Sequence, residues 1–457
     1  MMGGSGRLCM CMFLHPRLRI HRSFTSRVPK DKVEVIPRPK GWPLLGTLPE
    51  FLSSGSVSRI HEYVDRRHRE LGPIFRDRLG SVEAIFVADP GIVKEIFRHE
   101  GPWPRHLIPE PWIIYNRKFG CRRGLFFMDG AEWQEERQRF GRFLLSQARI
   151  EAHHPHFQVL SDDLVLGKWT QPIENLEEDL YKWSLQVVGS YMFGEDFRFP
   201  EGDLEVLMRN VRELFHQSAA MTLFPPKVAA ALHLPVWTSF VSAFHSALAI
   251  VEQMVKERLE GFQKKELGMK EDLLTKVLVD LFLAAADTTS YTLTWCLHLL
   301  ATHPRIQEEI RNTPHLVGGV VNESMRLFPV APFLTRYLPR DSIISQYRIP
   351  KDVLLLLSLY TMGRDEKHFK HGGEFKPERW KEVGVESRFA FLPFGAGRRS
   401  CVGKKIALIN MHLLLSTVLR HYNLEALNES EVKYEMRLIG VPSESIKIRL
   451  SPLPRQS

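Results

Sequence analysis

The stretch Phe391-Leu-Pro-Phe-Gly-Ala-Gly-Arg-Arg-Ser-Cys-Val-Gly-Lys-Lys405 carries more chemical information than any other part of this chain. Its three glycines let the backbone pass close to a bulky group, and Phe394 can shield Cys401. A thiolate needs nearby positive charge and amide donors, which Arg398, Arg399 and the positive end of a following helix would supply. The stretch therefore predicts a stabilised thiolate at Cys401. A glycine-rich turn with a structural cysteine, or a nucleophilic cysteine paired with a distant histidine, is the alternative.

The composition fits one large globular unit. With 457 residues, 44% of them hydrophobic, the chain can bury a sizeable core. Its five cysteines are odd in number and scattered, which argues against a disulfide framework and for a reducing compartment. The net charge of +9 suits an anionic membrane face or an acidic protein partner. We expect no nucleic-acid partner, because the sequence has no zinc-finger spacing, RNA-binding aromatic signature or continuous basic tract.

The first 30 residues have the composition of an organelle transit peptide. Arginines stand at 7, 17, 19, 22 and 27 among several serines, and no acid precedes Asp31. The apolar run 8–14 is too short to span a bilayer, which needs about 20 apolar residues. We therefore predict a transit peptide at 1–30 and one functional domain at 31–457. A cleaved secretory signal is the rival interpretation, but no small-residue cleavage site follows the apolar run.

Most of the chain shows the three- and four-residue spacing of apolar side chains that is typical of helices. Two short stretches rich in β-branched and aromatic residues, 73–75 and 84–87, flank Gly80 and predict a small hairpin. Strand-like composition returns at 347–357 and 433–450. The sequence therefore predicts a mainly α fold with minor β structure. The predicted helices are 132–145, 176–192, 204–217, 238–266, 273–302 and 305–311.

The longest predicted helix, 273–302, places Ala284-Ala-Ala-Asp-Thr-Thr-Ser290 inside an otherwise apolar run. A buried carboxyl is costly unless it is partnered or used, so Asp287 and Thr288 are candidate functional residues. Alternatively, Asp287 caps a nearby helix end, while Thr288 and Thr289 bond back to carbonyls one turn earlier. Taken alone, this segment favours neither interpretation.

The pattern Phe394-x-x-Gly397-x-Arg399-x-Cys401-x-Gly403 resembles, without departure, the haem-binding loop of the cytochrome P450 family. The resemblance implies haem b with an axial thiolate from Cys401, to which Phe394 and Gly403 contribute as loop residues. It also implies the family's fold: mainly α with minor β, with a large helical domain and a small β-rich lobe that enclose the haem.

Other family signatures follow in the expected order, and the resemblance spans roughly residues 35–450. Glu323-x-x-Arg326 and Arg379 resemble an internal ion-bonded triad, which we expect to be structural. Trp133-x-x-x-Arg137 resembles the helix that holds a haem propionate. In the family, certain positions bind the two propionate carboxylates of the haem. The residues that match these positions are Trp133, Arg137, Arg336 and Arg399.

The resemblance assigns catalytic roles to Asp287 and Thr288. Thr288 would help to deliver protons to the oxygen side of the haem through water, and Asp287 would connect that route to solvent. The implied reaction is the insertion of one oxygen atom into a C–H bond. One departure is the run Ala284-Ala285-Ala286, where the family usually has a glycine beside the oxygen site.

An arginine-rich leader resembles the mitochondrial class of the family, which takes electrons from an acidic ferredoxin and its reductase. Lys404 and Lys405 match the basic docking pair of that class, although 318–322 lacks the lysines that usually precede the Glu-x-x-Arg signature. We expect the matrix face of the mitochondrial inner membrane as the location. A peripheral membrane contact through 224–241 is a further expectation, with a packed helix connector as the alternative.

The expected substrate is a hydrophobic, sterol-like small molecule. The stretch 123–130 resembles arthropod hydroxylases of ecdysteroid synthesis, which implies ecdysteroid 2-hydroxylation. One alternative is a broad-specificity xenobiotic monooxygenase. Another is a haem-binding protein with little turnover, in view of the run Ala284-Ala285-Ala286 and of connections before 273 and between 303 and 323 that are short for the family. The expected substrate-lining residues are Trp112, Ile113, Leu223, Phe224, Ala284, Val330, Phe333 and Val441.

Overall fold

A computed structural model describes residues 33–80, 82–121, 123–144, 146–222, 224–259, 270–381 and 389–454. The predicted leader at 1–30 and Leu223 lie outside the described residues. None of the described helices is both long enough and apolar enough to cross a membrane.

Helices dominate the described part of the chain. At the start of several helices, a side chain accepts a hydrogen bond from a backbone amide of the first turn. Asp89 accepts from the amide of Ile92, and Asn175 accepts from the amide of Glu178, as expected for residues at helix N-caps. The α-helices are α1 (Leu48–Ser53), α2 (Ile60–Leu71), α3 (Pro90–His99), α4 (Glu110–Lys118), α5 (Gly130–Leu144), α6 (Gln147–Asp162), α7 (Leu176–Phe193), α8 (Glu201–Ala220), α9 (Pro226–Ala231), α10 (Pro235–Arg258), α11 (Glu271–Thr302), α12 (Pro304–Asn312), α13 (Val317–Leu327), α14 (Leu359–Met362) and α15 (Lys404–His421).

The β structure is small and lies mostly in one sheet. Its four strands have the order β1-β2-β6-β3, with β2 and β6 parallel and the other neighbours antiparallel. Three antiparallel pairs, β4 with β5, β7 with β10 and β8 with β9, make up the remaining sheets. The strands are β1 (Ile74–Leu79), β2 (Val82–Val87), β3 (Phe333–Tyr337), β4 (Ser342–Ile344), β5 (Tyr347–Ile349), β6 (Leu354–Ser358), β7 (Tyr422–Ala426), β8 (Tyr434–Arg437), β9 (Ile439–Pro442) and β10 (Ile448–Pro452).

The prediction of a mainly α fold with minor β structure is confirmed, including the hairpin around Gly80, which has a φ of 63°. Two predicted strands are divided instead of continuous. A left-handed φ of 58° at Asp352 separates β5 from β6, and one of 69° at Leu438 turns the chain between β8 and β9. Apolar composition alone could not show these breaks, because neither turn contains glycine.

The apolar core has one large part among the helices and two smaller parts beside the four-stranded sheet. Helix α11 runs through the large part and packs against α7, α10 and α13. Its 32 residues span about 48 Å at 1.5 Å per residue, enough to cross the molecule. Ala284 and Thr288 are exposed although they lie mid-helix and one turn apart on the same face. A gap therefore borders this face of an otherwise buried helix.

The predicted triad is present as a buried network that joins α13 to the chain before the cysteine loop. Arg326 donates to both carboxylate oxygens of Glu323, over 2.9 and 2.5 Å, and both side chains are fully buried. Arg379 donates to Glu323 over 2.9 Å, and the indole of Trp380 donates to the other oxygen over 2.9 Å. The segment 376–381 is therefore fixed to a core helix, ahead of the cysteine loop in the sequence.

Candidate active site

The loop before α15 brings Cys401 to the end of a tightly turned backbone. Gly395 and Gly397 have φ values of 66° and 70°, in the left-handed region that favours glycine. A Cβ atom at Gly397 would lie 2.5 Å from the Oε1 atom of Glu100, so this position has no room for a side chain. The amide of Cys401 donates to the carbonyl of Phe394 over 2.8 Å and so closes the loop.

The Cys401 residue is exposed, yet the protein around its sulfur atom excludes enough water to raise the pKa of the thiol. Two amide groups, those of Gly403 and Lys404, donate toward the sulfur and oppose this rise, as do the charges of Arg137 and Lys404. The loop thus supplies donors that favour the thiolate and oppose the effect of burial. A cation bound at the sulfur would complete the stabilisation.

The predicted role of Arg398 and Arg399 as the charges beside the sulfur is wrong. The guanidinium of Arg399 turns away and donates to the carbonyls of Pro104 and Met128, over 2.8 and 2.7 Å. Arg398 is exposed and donates to a carbonyl at 102. The helix that was predicted to begin near 402 begins at Lys404, so the amides at its start, and not the arginines, face the thiol.

The four predicted carboxylate-binding side chains are brought together. The guanidinium carbon of Arg399 lies 4.0 Å from the centre of the Trp133 ring, and the charges of Arg336 and Arg137 both act on Arg399. Burial is the largest cause that lowers the pKa of Arg399, to about 10. Three cations so close to one another are unfavourable unless anions lie between them.

The partners of these arginines include only two carboxylates within the described residues. Arg336 donates to Glu100 over 2.6 Å, and Arg399 donates to Asp129 over 2.6 Å. Arg137 donates to a backbone carbonyl, that of residue 400, over 3.0 Å. Sequence reasoning missed Glu100 and Asp129, because nothing in the local spacing ties either of them to an arginine that is more than 200 residues away.

Asp287 and Thr288 lie in the middle of α11, so Asp287 does not cap a helix end. Asp287 is buried and its Oδ2 atom has no hydrogen-bond partner. Burial raises the pKa of this carboxyl to about 7, against the opposing charge of Arg212. The hydroxyl of Thr288 does donate back to the carbonyl of Ala284, over 3.0 Å, as the alternative interpretation expected. Its oxygen lone pairs remain able to accept a hydrogen bond.

A cavity of about 1070 Å³ lies beside Asp287 and is bounded by α7, α8, α11 and the β8–β9 pair. Its lining is mostly polar, with Tyr291, Arg212 and Glu177 near the buried carboxyl. The Oε2 atom of Glu177, like the Oδ2 atom of Asp287, is buried without a partner. Unpaired carboxylate oxygens facing a polar cavity of this size are suited to hydration.

Among the predicted substrate-lining residues that the structure describes, Val441 alone borders this charged cavity. Ala284 faces the gap beside α11, and Trp112 stacks against Phe127 with ring centres 5.8 Å apart. Ile113, Val330 and Phe333 are partly buried, and 42% of Phe224 is exposed on the surface. Apart from Val441, the described residues of the predicted substrate lining therefore do not line this polar cavity.

A buried ion pair that sequence reasoning missed joins α11 to the segment before α5. The guanidinium of Arg123 donates to Asp280 over 2.8 Å, and the amide of Gly124 donates to the other oxygen of Asp280 over 2.8 Å. Arg123 also lies over the rings of Phe127 and Phe244, at 4.7 and 5.0 Å. This pair fixes the segment 123–129, whose carbonyls at 125 and 128 are among the acceptors for Arg399.

Comparison with known proteins agrees with these features. A family model described as Cytochrome P450 matches residues 36–450. The mitochondrial cytochrome P450 315a1 of Drosophila melanogaster is 34% identical over 91% of this chain and 88% of the relative. The mitochondrial 1,25-dihydroxyvitamin D(3) 24-hydroxylase of Mus musculus is 28% identical, over 96% of this chain and 95% of the relative. The mitochondrial cholesterol side-chain cleavage enzyme of Hypanus americanus is 27% identical, over 84% and 83%.

The fold, with its large helical part and small β-rich part, agrees with the match over residues 36–450. The relatives align along most of their own length as well as along most of this chain. The chain therefore belongs to the cytochrome P450 family of haem-thiolate monooxygenases.

Proposed function

We propose that this P450 inserts one oxygen atom from O2 into an ecdysteroid, by 2-hydroxylation, with electrons from an acidic ferredoxin and its reductase. The observation that carries the catalytic part of the proposal is the Cys401 loop, where an exposed cysteine receives two amide donors. Two relatives are named for reactions on a vitamin D derivative and on cholesterol, which supports a substrate of the sterol class.

The residues around Cys401 fit a haem. A haem carries two carboxylates, and Arg137 has no carboxylate partner among the described residues, while Arg336 and Arg399 lie close enough to share one. Cys401 would bind the haem iron through its sulfur, and the haem carboxylates would be held by Trp133, Arg137, Arg336 and Arg399. When bound, a haem with a thiolate ligand supplies the oxygen activation that no side chain of the protein can provide.

The role of α11 is to hold and move protons. Thr288 is exposed on the face that borders the gap. Its hydroxyl oxygen can accept a hydrogen bond from water while its O–H group donates to the carbonyl of Ala284. Asp287, on the neighbouring face, meets the charged cavity, where hydration would connect it to Arg212 and Glu177. We propose that Asp287 takes up protons from this cavity and that Thr288 orients the water that receives them.

The electron donor is proposed to dock beside the start of α15. Lys404 and Lys405 are both exposed there, in the first turn after the cysteine loop. Lys404 also acts electrostatically on the Cys401 thiol, so its charge serves the sulfur as well as the surface. Lys405 is not among the charges that act on the thiol, so its replacement tests docking more directly than replacement of Lys404.

We propose a mitochondrial location, on the matrix face of the inner membrane, from the names of the relatives and the composition of 1–30. Exposed apolar side chains at Phe224, Val228 and Leu232, around α9, support a peripheral membrane contact. Fractionation of cells that express the tagged full chain, followed by a carbonate wash, measures both properties. Recovery in the cytosol would contradict the location.

Replacement of Cys401 tests the ligand assignment. The reduced carbon monoxide complex of the purified protein should show the long-wavelength Soret band of a thiolate ligand, and Cys401→His should lose that band because imidazole replaces the thiolate. Cys121→Ser is the matched control, since Cys121 is a partly buried cysteine away from the loop, and it should keep the band. A wild-type spectrum without the band would contradict the monooxygenase site.

Replacement of Asp287 tests the proton route through the pH dependence of coupling. A carboxyl with a pKa near 7 donates while protonated, so product formed per electron consumed should fall as the pH rises through about 7. Asp287→Asn should be about a hundredfold slower and should lose this inflection, because an amide does not titrate there. Thr292→Val, one turn further along α11, should keep it. If the inflection near pH 7 persists in Asp287→Asn, it belongs to a group other than Asp287.

Ligand titration tests the substrate class. Ecdysteroid precursors should give saturating Soret shifts at concentrations at least tenfold lower than a panel of unrelated apolar xenobiotics, since a rigid sterol buries more of its surface in an apolar pocket. Equal responses across the panel would favour the broad-specificity alternative. A normal carbon monoxide spectrum without product in a reconstituted assay would favour a haem-binding protein with little turnover, as the Ala284–Ala286 run allows.

Charge reversal at Lys405 tests the docking face. Lys405→Glu should slow ferredoxin-driven turnover about tenfold at low ionic strength and flatten its salt dependence, because a steering charge is removed. Turnover driven by a peroxide donor should be unchanged, which separates docking from damage to the site. Lys256→Glu, an exposed lysine on α10, is the matched control. Equal slowing in both lysine variants would mean that net charge, not this face, matters.

A further inference from the structure

The segment that holds Arg123 lies on the same face of α11 as the gap beside Ala284 and Thr288. Gly124 packs so closely on this helix that a Cβ atom added there would lie 2.9 Å from a backbone carbonyl oxygen of α11. Asp280, which binds Arg123, precedes Ala284 by four residues, so the two lie on one face of the helix, one turn apart. Arg123 therefore lies about one helical turn from the gap.

The ion pair with Asp280 accounts for two of the three guanidinium nitrogens of Arg123. The Nε and Nη2 atoms both donate to the Oδ1 atom of Asp280, so Nη1 points away from that carboxylate. The residue is 7% exposed, and Nη1 is buried without a hydrogen-bond partner among the described residues. A buried donor is rarely left unpaired, because it has lost its bonds to water. The role of tying the segment to α11 therefore leaves this third nitrogen unexplained.

The surroundings of the guanidinium are aromatic. Its carbon atom lies 4.7 Å from the ring centre of Phe127 and 5.0 Å from that of Phe244. The indole of Trp112 packs against both rings, with centres 5.8 and 5.3 Å apart. A free donor among apolar side chains is typical of a site that orients a hydrophobic ligand. Because Asp280 already neutralises Arg123, the acceptor that fits is a hydroxyl or keto oxygen of a neutral molecule, not an anion.

We propose that the Nη1 atom of Arg123 donates a hydrogen bond to an oxygen at the end of the sterol substrate that lies away from the oxidised carbon. The inference rests on the proposed function. Asp280 and Thr288 are eight residues apart on α11, which is about 12 Å at 1.5 Å per residue. An elongated sterol with one end beside Thr288 would bring its other end toward Arg123. For 2-hydroxylation, which acts on the first ring, that other end is the side chain. Arg123 thus selects sterols that carry oxygen on the side chain.

Soret titration of the holoprotein with two ecdysteroid precursors that differ by one side-chain hydroxyl group measures this bond. The wild type should bind the hydroxylated compound about tenfold more tightly, the size expected for one hydrogen bond to a charged group. Arg123→Lys keeps a cation for Asp280 but has a single nitrogen, so the preference should fall below twofold. Arg76→Lys, which replaces an arginine paired with Glu83 in the four-stranded sheet, is the matched control and should keep the preference.

The compound without the hydroxyl group should bind both lysine variants with dissociation constants within twofold of the wild-type value. A preference that survives in Arg123→Lys would overturn the inference. Equal weakening of both compounds would overturn it too, because the role of Arg123 would then be structural. If Arg123→Lys does not fold, Arg123→Met combined with Asp280→Asn removes both charges, keeps an acceptor for the amide of Gly124, and carries the same expectation.

The wild-type titration separates failure of this inference from failure of the proposed function. A wild type that binds both compounds equally overturns the role of Arg123 and leaves the substrate class intact. A wild type whose spectrum responds to neither compound would instead overturn the proposed substrate class.

Discussion

The amide groups of Gly403 and Lys404, directed at the sulfur of Cys401, are the interaction on which the rest of the structure depends. Burial pushes this thiol toward its protonated form, and two amides with two nearby cations push it the other way. A metal cation bound at the sulfur would favour the thiolate in the same way as the amides and the nearby cations.

To keep these amides directed at the sulfur, the loop must hold one backbone conformation. Contacts with other parts of the chain restrain it. Glu323 binds Arg326 and Arg379 in the core, which fixes the chain that leads into the loop. Glu100 fills the space where a side chain at Gly397 would lie. Removing one partner of a buried ion pair typically costs about 3–5 kcal/mol, so each restraint is substantial by itself. These contacts come from three different regions of the sequence.

Features formed by residues within one element could be predicted from the sequence alone. Glu323 and Arg326 are one helical turn apart, the glycines flank Cys401 within a few residues, and Asp287 adjoins Thr288, so spacing alone reveals them. Partnerships between distant elements leave no such signal. Asp280 and Arg123 are 157 residues apart, and Glu100 and Arg336 are 236 residues apart. The orientation of Arg399 was mispredicted for the same reason, since its acceptors lie near 104 and 128.

The pair formed by Arg123 and Asp280 has a consequence for how this site can change over evolutionary time. Asp280 lies on the same helix as Thr288, about two turns earlier, while the segment beginning at Arg123 supplies the acceptors for Arg399. Helix α11 and the cysteine loop are thus linked through this buried pair and the segment that follows Arg123. Loss of either member would leave a buried charge alone. A substitution at 123 or 280 would therefore disturb both α11 and the acceptors of Arg399, so changes on the two sides of the site are coupled.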